Sequence, residues 1–305
     1  MARPRITVVG SSNLDMIAKI PRFPQVGETL EGDSFHMGFG GKGANQAVMG
    51  ARLGAEVTMV TKLGRDVFGE MTLKNYQDQG VDTRYILFDE VRSSGVAPIW
   101  VDPQGRNMII IVLGANLALS PADAQAARDV IQSADIVVCQ LEVPVETTLE
   151  TFRIAKEAGV RTILNPAPAA RIPDELLALS DIVSPNETET ELLTSMPVGT
   201  IEEAETAARR LQERGARTVI LTLGERGALL VGEGPAVHVP GQQVEAIDST
   251  GAGDAFVGSL AVFLAEGQSL SKAIEWANAV AATSVTRIGT QVSFPRREEV
   301  THLLV

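Results

Sequence analysis

Three features of the sequence predict a three-layer α/β/α sandwich with a mostly parallel central sheet. Helix-length and strand-length segments alternate along most of the chain, the strands are apolar on both faces, and 45% of the 305 residues are hydrophobic. A strand buried on both faces needs a layer above and a layer below, and parallel sheets obtain both from their crossover helices. An apolar fraction near one half buries enough surface to offset the ordering entropy of the chain. The length fits one large domain, residues 1–305, that carries a small appendage.

The elements follow in order. Residues 6–9 form an apolar β-branched run that stops at Gly10-Ser-Ser-Asn13, a buried strand ending in a polar loop. From Gly43, Ala44, Ala47, Val48 and Ala51 follow helical spacing, with Gly54 where the helix should stop. A strand over 57–61 and a helix over 67–79 come next. Helix and strand pairs then recur at 122–133/136–141, 146–158/162–165 and 201–214/218–223, and two helices over 254–265 and 270–286 close the chain. Residues 15–39 and 94–113 break the rhythm with short β-type runs, Gly/Pro turns and no helical period, and are read as hairpins projecting as a small β lid. Its apolar residues Ile17, Ile20, Phe23, Ile99, Trp100, Ile109 and Ile111 are more than so small a sheet can bury, so a homodimer packed lid to lid is expected.

Charge and cysteine usage narrow the function. With 26 Lys+Arg against 38 Asp+Glu the net charge is −12, and no basic run is present to attract nucleic acid or an anionic membrane. No segment has the length of a membrane span, the start lacks a signal-peptide core, and the lone Cys139 sits in an apolar strand; a cytoplasmic protein is expected. His36, His238 and His302 are scattered without metal-ligand spacing.

Two segments can carry chemistry. Gly38-Phe-Gly-Gly-Lys-Gly-Ala-Asn45 satisfies G-x-G-x-x-G, but a hairpin-like stretch precedes it and no acid ends the next strand, so a dinucleotide fingerprint does not fit. Lys42 is followed by glycine, which excludes a Walker A loop. The segment is either a glycine turn feeding a helix or a site for a polyhydroxyl ligand. In Asp248-Ser-Thr-Gly-Ala-Gly-Asp254, the small residues Gly251, Ala252 and Gly253 stand before a helix, where backbone N–H groups can hold a transferring phosphate. Asp254 is then either a base for a substrate hydroxyl or simply an N-cap after a glycine turn. Asn186 and Glu189 have capping-box spacing ahead of an apolar pair.

These two segments, with Asn165-Pro-Ala-Pro-Ala169, Pro185-Asn-Glu-Thr-Glu189 and Gly114-Ala-Asn-Leu-Ala-Leu-Ser-Pro121, resemble the ribokinase-like carbohydrate kinase family over nearly the whole chain. Ser249 departs from the threonine of many members. The resemblance implies ATP-dependent phosphorylation of a sugar, with the 5-hydroxyl of D-ribose as acceptor. Fructose, a nucleoside or 2-keto-3-deoxygluconate are the alternative acceptors, and a non-catalytic sugar-binding regulator is the alternative to an enzyme. It further implies sugar contacts from Asn13, Asp15, Gly41, Lys42, Asn45 and Glu142, Asp254 as the base, and an anion pocket from Gly251, Ala252 and Gly253. Asn186, Thr222, Gly224, Gly253 and Asn278 would meet the nucleotide. Glu189 would hold Mg²⁺ through water. A K⁺ activator would lie among Asp248, Thr250, Ser284, Arg287, Gly289 and Ser293.

Overall fold

The computed structural model describes residues 3–304; positions 1, 2 and 305, the ends of the expected 1–305 unit, lie outside the described residues. In chain order the strands are β1 (Arg5–Val9), β2 (Asn13–Lys19), β3 (Ser34–Gly40), β4 (Glu56–Gly64), β5 (Asp82–Asp89), β6 (Gly95–Val101) and β7 (Asn107–Ile109). They continue with β8 (Ile136–Cys139), β9 (Arg161–Leu164), β10 (Ile182–Val183), β11 (Thr218–Thr222), β12 (Ala228–Val231) and β13 (Val237–Val239). The helices are α1 (Lys42–Arg52), α2 (Val67–Asp78), α3 (Pro121–Ala126), α4 (Arg128–Ser133), α5 (Val145–Glu157), α6 (Asp174–Ala178), α7 (Glu187–Thr194), α8 (Ile201–Glu213), α9 (Ala252–Ala265), α10 (Leu270–Ser284) and α11 (Arg297–Val300).

Among the described residues, nine strands form one sheet in the order β13-β12-β11-β10-β9-β8-β1-β4-β5, parallel from β11 to β5 and antiparallel at β11–β12 and β12–β13. Strand alternation divides the core. Ile136 and Val138 of β8 join Val48 of α1, Leu260 of α9 and Ile274 of α10 on one face. Val137 and Cys139 join Ile131, Phe152 and Leu211 on the other. The buried Cys139 thiol, its pKa pushed far up by burial, is a packing group. The three expected layers are therefore present.

Several expectations change in detail. The helix expected over 122–133 is interrupted at Ala127, between α3 and α4. Strands β5, β10, β12 and β13 were not legible as separate runs; β10 is only two residues long, and β12 and β13 continue past the turn at 224–226 as a meander. The helix expected from Asp254 begins at Ala252 with Gly251 as its N-cap, so Ala252 and Gly253 lie inside the first turn and Asp254 is no N-cap.

The lid is a second sheet, β3-β2-β6-β7, in which β2 runs antiparallel to β3 and parallel to β6. It does not expose every apolar residue named above. Ile20 is buried, and Ile17 and Ile99 share the face of Asp15 because side chains alternate along a strand. The outer face instead carries Met16, Ala18, Phe35, Met37, Trp100 and Met108, joined through neighbouring registers.

The sheet order also positions the site. From β1 the chain first builds outward through β4 and β5, then crosses to β8 and continues through β9 to β11. The strand order therefore reverses between β1 and β8, and in open α/β sheets ligands occupy the crevice beyond the carboxyl ends at that point.

Candidate active site

Several residues of the site follow the carboxyl end of a strand. Asn13 comes after β1, Glu142 after β8, Asn165 after β9, Asn186 after β10, and Thr222 ends β11. The N-termini of α1 and α9 meet them there. Gly41 caps α1 at φ 88°, and a Cβ at this position would lie 2.6 Å from the Asn13 nitrogen, so only glycine lets α1 begin this close to the start of β2. Gly251 caps α9 at φ 80° with Thr290 Cγ2 2.5 Å from where its Cβ would be.

A cleft of about 150 Å³ is lined by Lys42, Asn165, Ser184, Asn186, Glu189, Thr222, Ser249, Asp254 and the turn Gly251-Ala252-Gly253. Gly253 faces open space, which leaves its backbone approachable. Larger hollows of about 610 and 540 Å³ lie at the opposite ends of the strands, around Arg5, Glu56 and Asp82 and around Arg161, Asp181 and Arg217. They contain none of the convergent groups found in the smaller cleft.

Asp254 is buried, and both carboxylate oxygens accept hydrogen bonds from α1: Asn45 Nδ2 donates to Oδ2 at 2.9 Å and Gln46 Nε2 to Oδ1 at 3.0 Å. Two motifs 209 positions apart in the chain are thereby joined. Glu142 accepts from Ser11 Oγ at 2.5 Å and from the Lys42 nitrogen at 3.0 Å. Asn13 is fixed by Asn116, whose Nδ2 donates to Asn13 Oδ1 at 2.9 Å and whose Oδ1 accepts from the Ser12 nitrogen at 2.8 Å.

The charges form a compact acidic set around one ammonium. Burial, with Glu142 and Asp254 nearby, pushes the Asp15 carboxyl up to about 7. Burial works against the Lys42 charge, yet Asp254, Glu142 and Glu189 outweigh it and hold the ammonium above the usual lysine range. Burial also raises Glu189, although the Asn186 nitrogen and the Lys42 ammonium oppose the shift. Asn186 and Glu189 complete both arms of a capping box on α7, with Asn186 Oδ1 accepting from the Glu189 nitrogen and Glu189 accepting back.

Asp248 holds the loop before α9 to the turn after α10. Its Oδ1 accepts from the Thr250 nitrogen and its Oδ2 from the Gly289 nitrogen, both at 2.9 Å, and these bonds lower its pKa against the effect of burial. Other candidates stand apart from the cleft. Gly224 opens the turn after β11. Asn278 spends its NH₂ on the Val239 and Pro240 carbonyls. Arg287 pairs through its side chain with Glu299, and the hydroxyls of Ser284 and Ser293 bond carbonyls of their own turns. Ser11, Gln46, Asn116, Gln140 and Ser184 were not singled out from the sequence. Gln46 lies within the glycine motif and Asn116 within the 114–121 segment, but polar side chains that support others have no spacing signature.

The family model for pfkB family carbohydrate kinases matches residues 3–297. The chain belongs to that family. It is 43% identical to the deoxyribokinase of Salmonella typhi over 300 residues, 98% of each chain. It is 41% identical to the ribokinase of Mus musculus, over 97% of this chain and 93% of that one. The structure of Arabidopsis thaliana ribokinase complexed with ribose and ATP superposes with a TM-score of 0.95 at 34% identity, covering 99% of both chains. This kinase therefore has the ribokinase-like fold along its length, lid included. Among the described residues no helix is long and apolar enough to cross a membrane, and no group of three or more His, Cys, Asp or Glu residues is arranged to hold a metal ion.

Proposed function

We propose that this kinase transfers the γ-phosphoryl group of ATP to the 5-hydroxyl of D-ribose. The observation that carries the reading is the pair of bonds from Asn45 and Gln46 to Asp254, which brings a carbohydrate-type polar site against the first turn of α9. Asp254 takes the proton as the hydroxyl oxygen bonds to the γ-phosphorus; the bond to the bridging oxygen breaks, and ADP leaves with that electron pair. The first-turn N–H groups of Gly253 and Asp254 have no partner within the helix and would meet the developing negative charge, while the Ala252 N–H donates to the Ser249 carbonyl at 3.2 Å and braces the turn. Lys42, half-buried at the edge of the cleft, adds a positive charge that Asp254, Glu142 and Glu189 attract. Asp15, Glu142, Asn13, Asn45 and the Gly41 backbone would hold the sugar hydroxyls, with Asn186, Thr222, Gly224, Gly253 and Asn278 toward the nucleotide.

Mg²⁺ and K⁺ fit the donors present. Glu189 is the one buried carboxylate of the cleft besides the proposed base Asp254, which suits an ion that keeps most of its waters. Bound there, Mg²⁺ would neutralise phosphate charge. Asp248, Thr250, Ser284, Arg287, Gly289 and Ser293 offer one carboxylate and otherwise backbone carbonyls, a donor set for a large monovalent cation. K⁺ there would stiffen the loop leading into α9.

A homodimer is supported by the outer lid face, where Phe35 is 62%, Met37 45% and Met108 54% exposed on one contiguous apolar surface facing away from Asp15. A cytoplasmic location and the absence of nucleic-acid or membrane partners rest on the charge and composition already described.

The test is ADP release with ATP, Mg²⁺ and a panel of pentoses, hexoses and nucleosides. Ribose is expected to turn over fastest. The 43% identity to a deoxyribokinase favours 2-deoxyribose as the second reading, and faster turnover of that sugar would replace ribose. No turnover with any acceptor would leave a sugar-binding protein.

A further inference from the structure

Behind Asp254 stand amides whose orientation is set from one group to the next. An ionised carboxylate only accepts hydrogen bonds, so any amide facing it must present its NH₂. Asn45 does so, which turns its Oδ1 away, and Gln291 Nε2 meets that oxygen at 3.1 Å. Gln291 Oε1 is in turn met by Asn75 Nδ2 at 2.9 Å. On the other carboxylate oxygen Gln46 donates from Nε2, and its Oε1 accepts from Gln140 Nε2 at 2.6 Å. Gln140 is fully buried, and its Oε1 has no hydrogen-bond partner among the described residues. A buried acceptor is left unmet so that the donor can face Gln46, as expected where orientation outweighs local satisfaction.

Gln291 also sits on a fastened turn. Arg52, at the end of α1, donates from Nη1 to the carbonyls of Gln291 and Phe294, both at 2.6 Å. Helix α1 therefore grips the 291–294 turn at its far end and receives the Gln291 side chain near its start, three residues beyond Lys42. Gln291 is 4% exposed and reaches Asp254 only through Asn45.

We propose that Gln291, oriented by Asn75, is a positioning residue for the reaction. It locks the Asn45 amide with its NH₂ on Asp254, so that the remaining lone pairs of the carboxylate point at the acceptor hydroxyl. Gln140 does the same through Gln46. With Gln291 removed, the Asn45 amide can turn its oxygen toward Asp254, and the carboxylate loses its fixed direction. This rests on the reading of Asp254 as base.

The experiment compares Gln291→Met, Asn75→Ala, the double variant and Asp254→Asn, measuring kcat, the KM for ATP and the melting temperature with ribose, or with 2-deoxyribose if that turns over faster. Gln291→Met should lower kcat by about ten- to a hundredfold, the worth of one oriented hydrogen bond to a charge, with the KM for ATP unchanged. Asn75→Ala should lower kcat several-fold although it lies two amides from the base. The double variant should be no slower than Gln291→Met alone, because both act through one chain. A purely structural role predicts lower melting temperatures with wild-type kcat, and that result, or kcat losses that multiply in the double variant, overturns the proposal. If Gln291→Met does not fold, the kcat of Asn75→Ala decides it alone. Full turnover in Asp254→Asn would instead remove the base, and the reason for the chain with it.

Discussion

Asp15, as a proposed sugar contact, would trade stability for binding. Its carboxyl ordinarily titrates at 3.8 and is raised to about 7 by burial and by Glu142 and Asp254. A raised carboxyl favours folding in its neutral form: its contribution is complete below pH 3.8 and is lost as pH climbs through about 7. Sugar hydroxyls donate to the ionised form, so ligand binding runs the other way. Asp15→Asn should therefore melt higher than wild type at pH 8, with the gain shrinking toward pH 4, while ribose affinity in the wild type rises between pH 6 and 8. Thermal melts and calorimetric titrations across that range check both signs. Asp254→Asn keeps the shape of the side chain and cannot take a proton; it should fold, bind ribose and lose about two to four orders of magnitude in kcat. Wild-type turnover in that variant would end the assignment.

At the scale of elements, α7 and the turn after α10 each have a structural task beside the ion site proposed there. The Asn186 side chain accepts from the Glu189 nitrogen and Glu189 accepts back, so the box that starts α7 also holds the carboxylate facing the cleft. Asn186→Ala should cost about 1 kcal/mol of stability, a shift of about one to two degrees in melting temperature for a chain of this length, and should raise the Mg²⁺ concentration needed for half-maximal rate. An unchanged Mg²⁺ requirement would confine Asn186 to capping. In the turn, Asp248 ties Thr250 to Gly289 by accepting from both backbone nitrogens, and a cation among the carbonyls would tighten the approach to α9. Replacing K⁺ by a bulky organic cation at constant ionic strength should lower kcat as well as affinity for substrates. Equal rates in both salts would count against a cation there.

For the whole molecule, the outer lid face is the surface through which the proposed homodimer would form. Phe35 and Met37 lie on one side of β3 with Met16 and Ala18 beside them, while Asp15 turns inward from the same strand β2. A face of this kind associates in water, because apolar area removed from solvent is worth about 25 cal/mol per Å². Sedimentation at micromolar concentration should give a dimer, and Phe35→Asp should give a monomer of unchanged secondary structure. A monomeric wild type would dispose of the dimer.

The layers and the two glycine-rich segments were legible in the chain before any fold was known. A strand apolar on both faces, such as 136–139, has no solution but a covered sheet, and the glycines at 41 and 251 announce close backbone approach before any partner is known. The capping spacing of Asn186 and Glu189 was equally local. Only the tertiary structure decided which groups converge. Asn45 and Asp254 lie 209 positions apart and meet because the strand order reverses between β1 and β8, which sets α1 against α9 at one crevice. Gln46, Asn116, Gln140 and Gln291 carry no pattern in the chain, since an amide's role is fixed by what it faces. The same holds for the lid: its apolar residues were visible in the sequence, but the face each occupies followed from the register of β2 against β3 and β6. Local signals arise from backbone geometry within a few residues, whereas the site arises from packing between segments that only the sheet brings together.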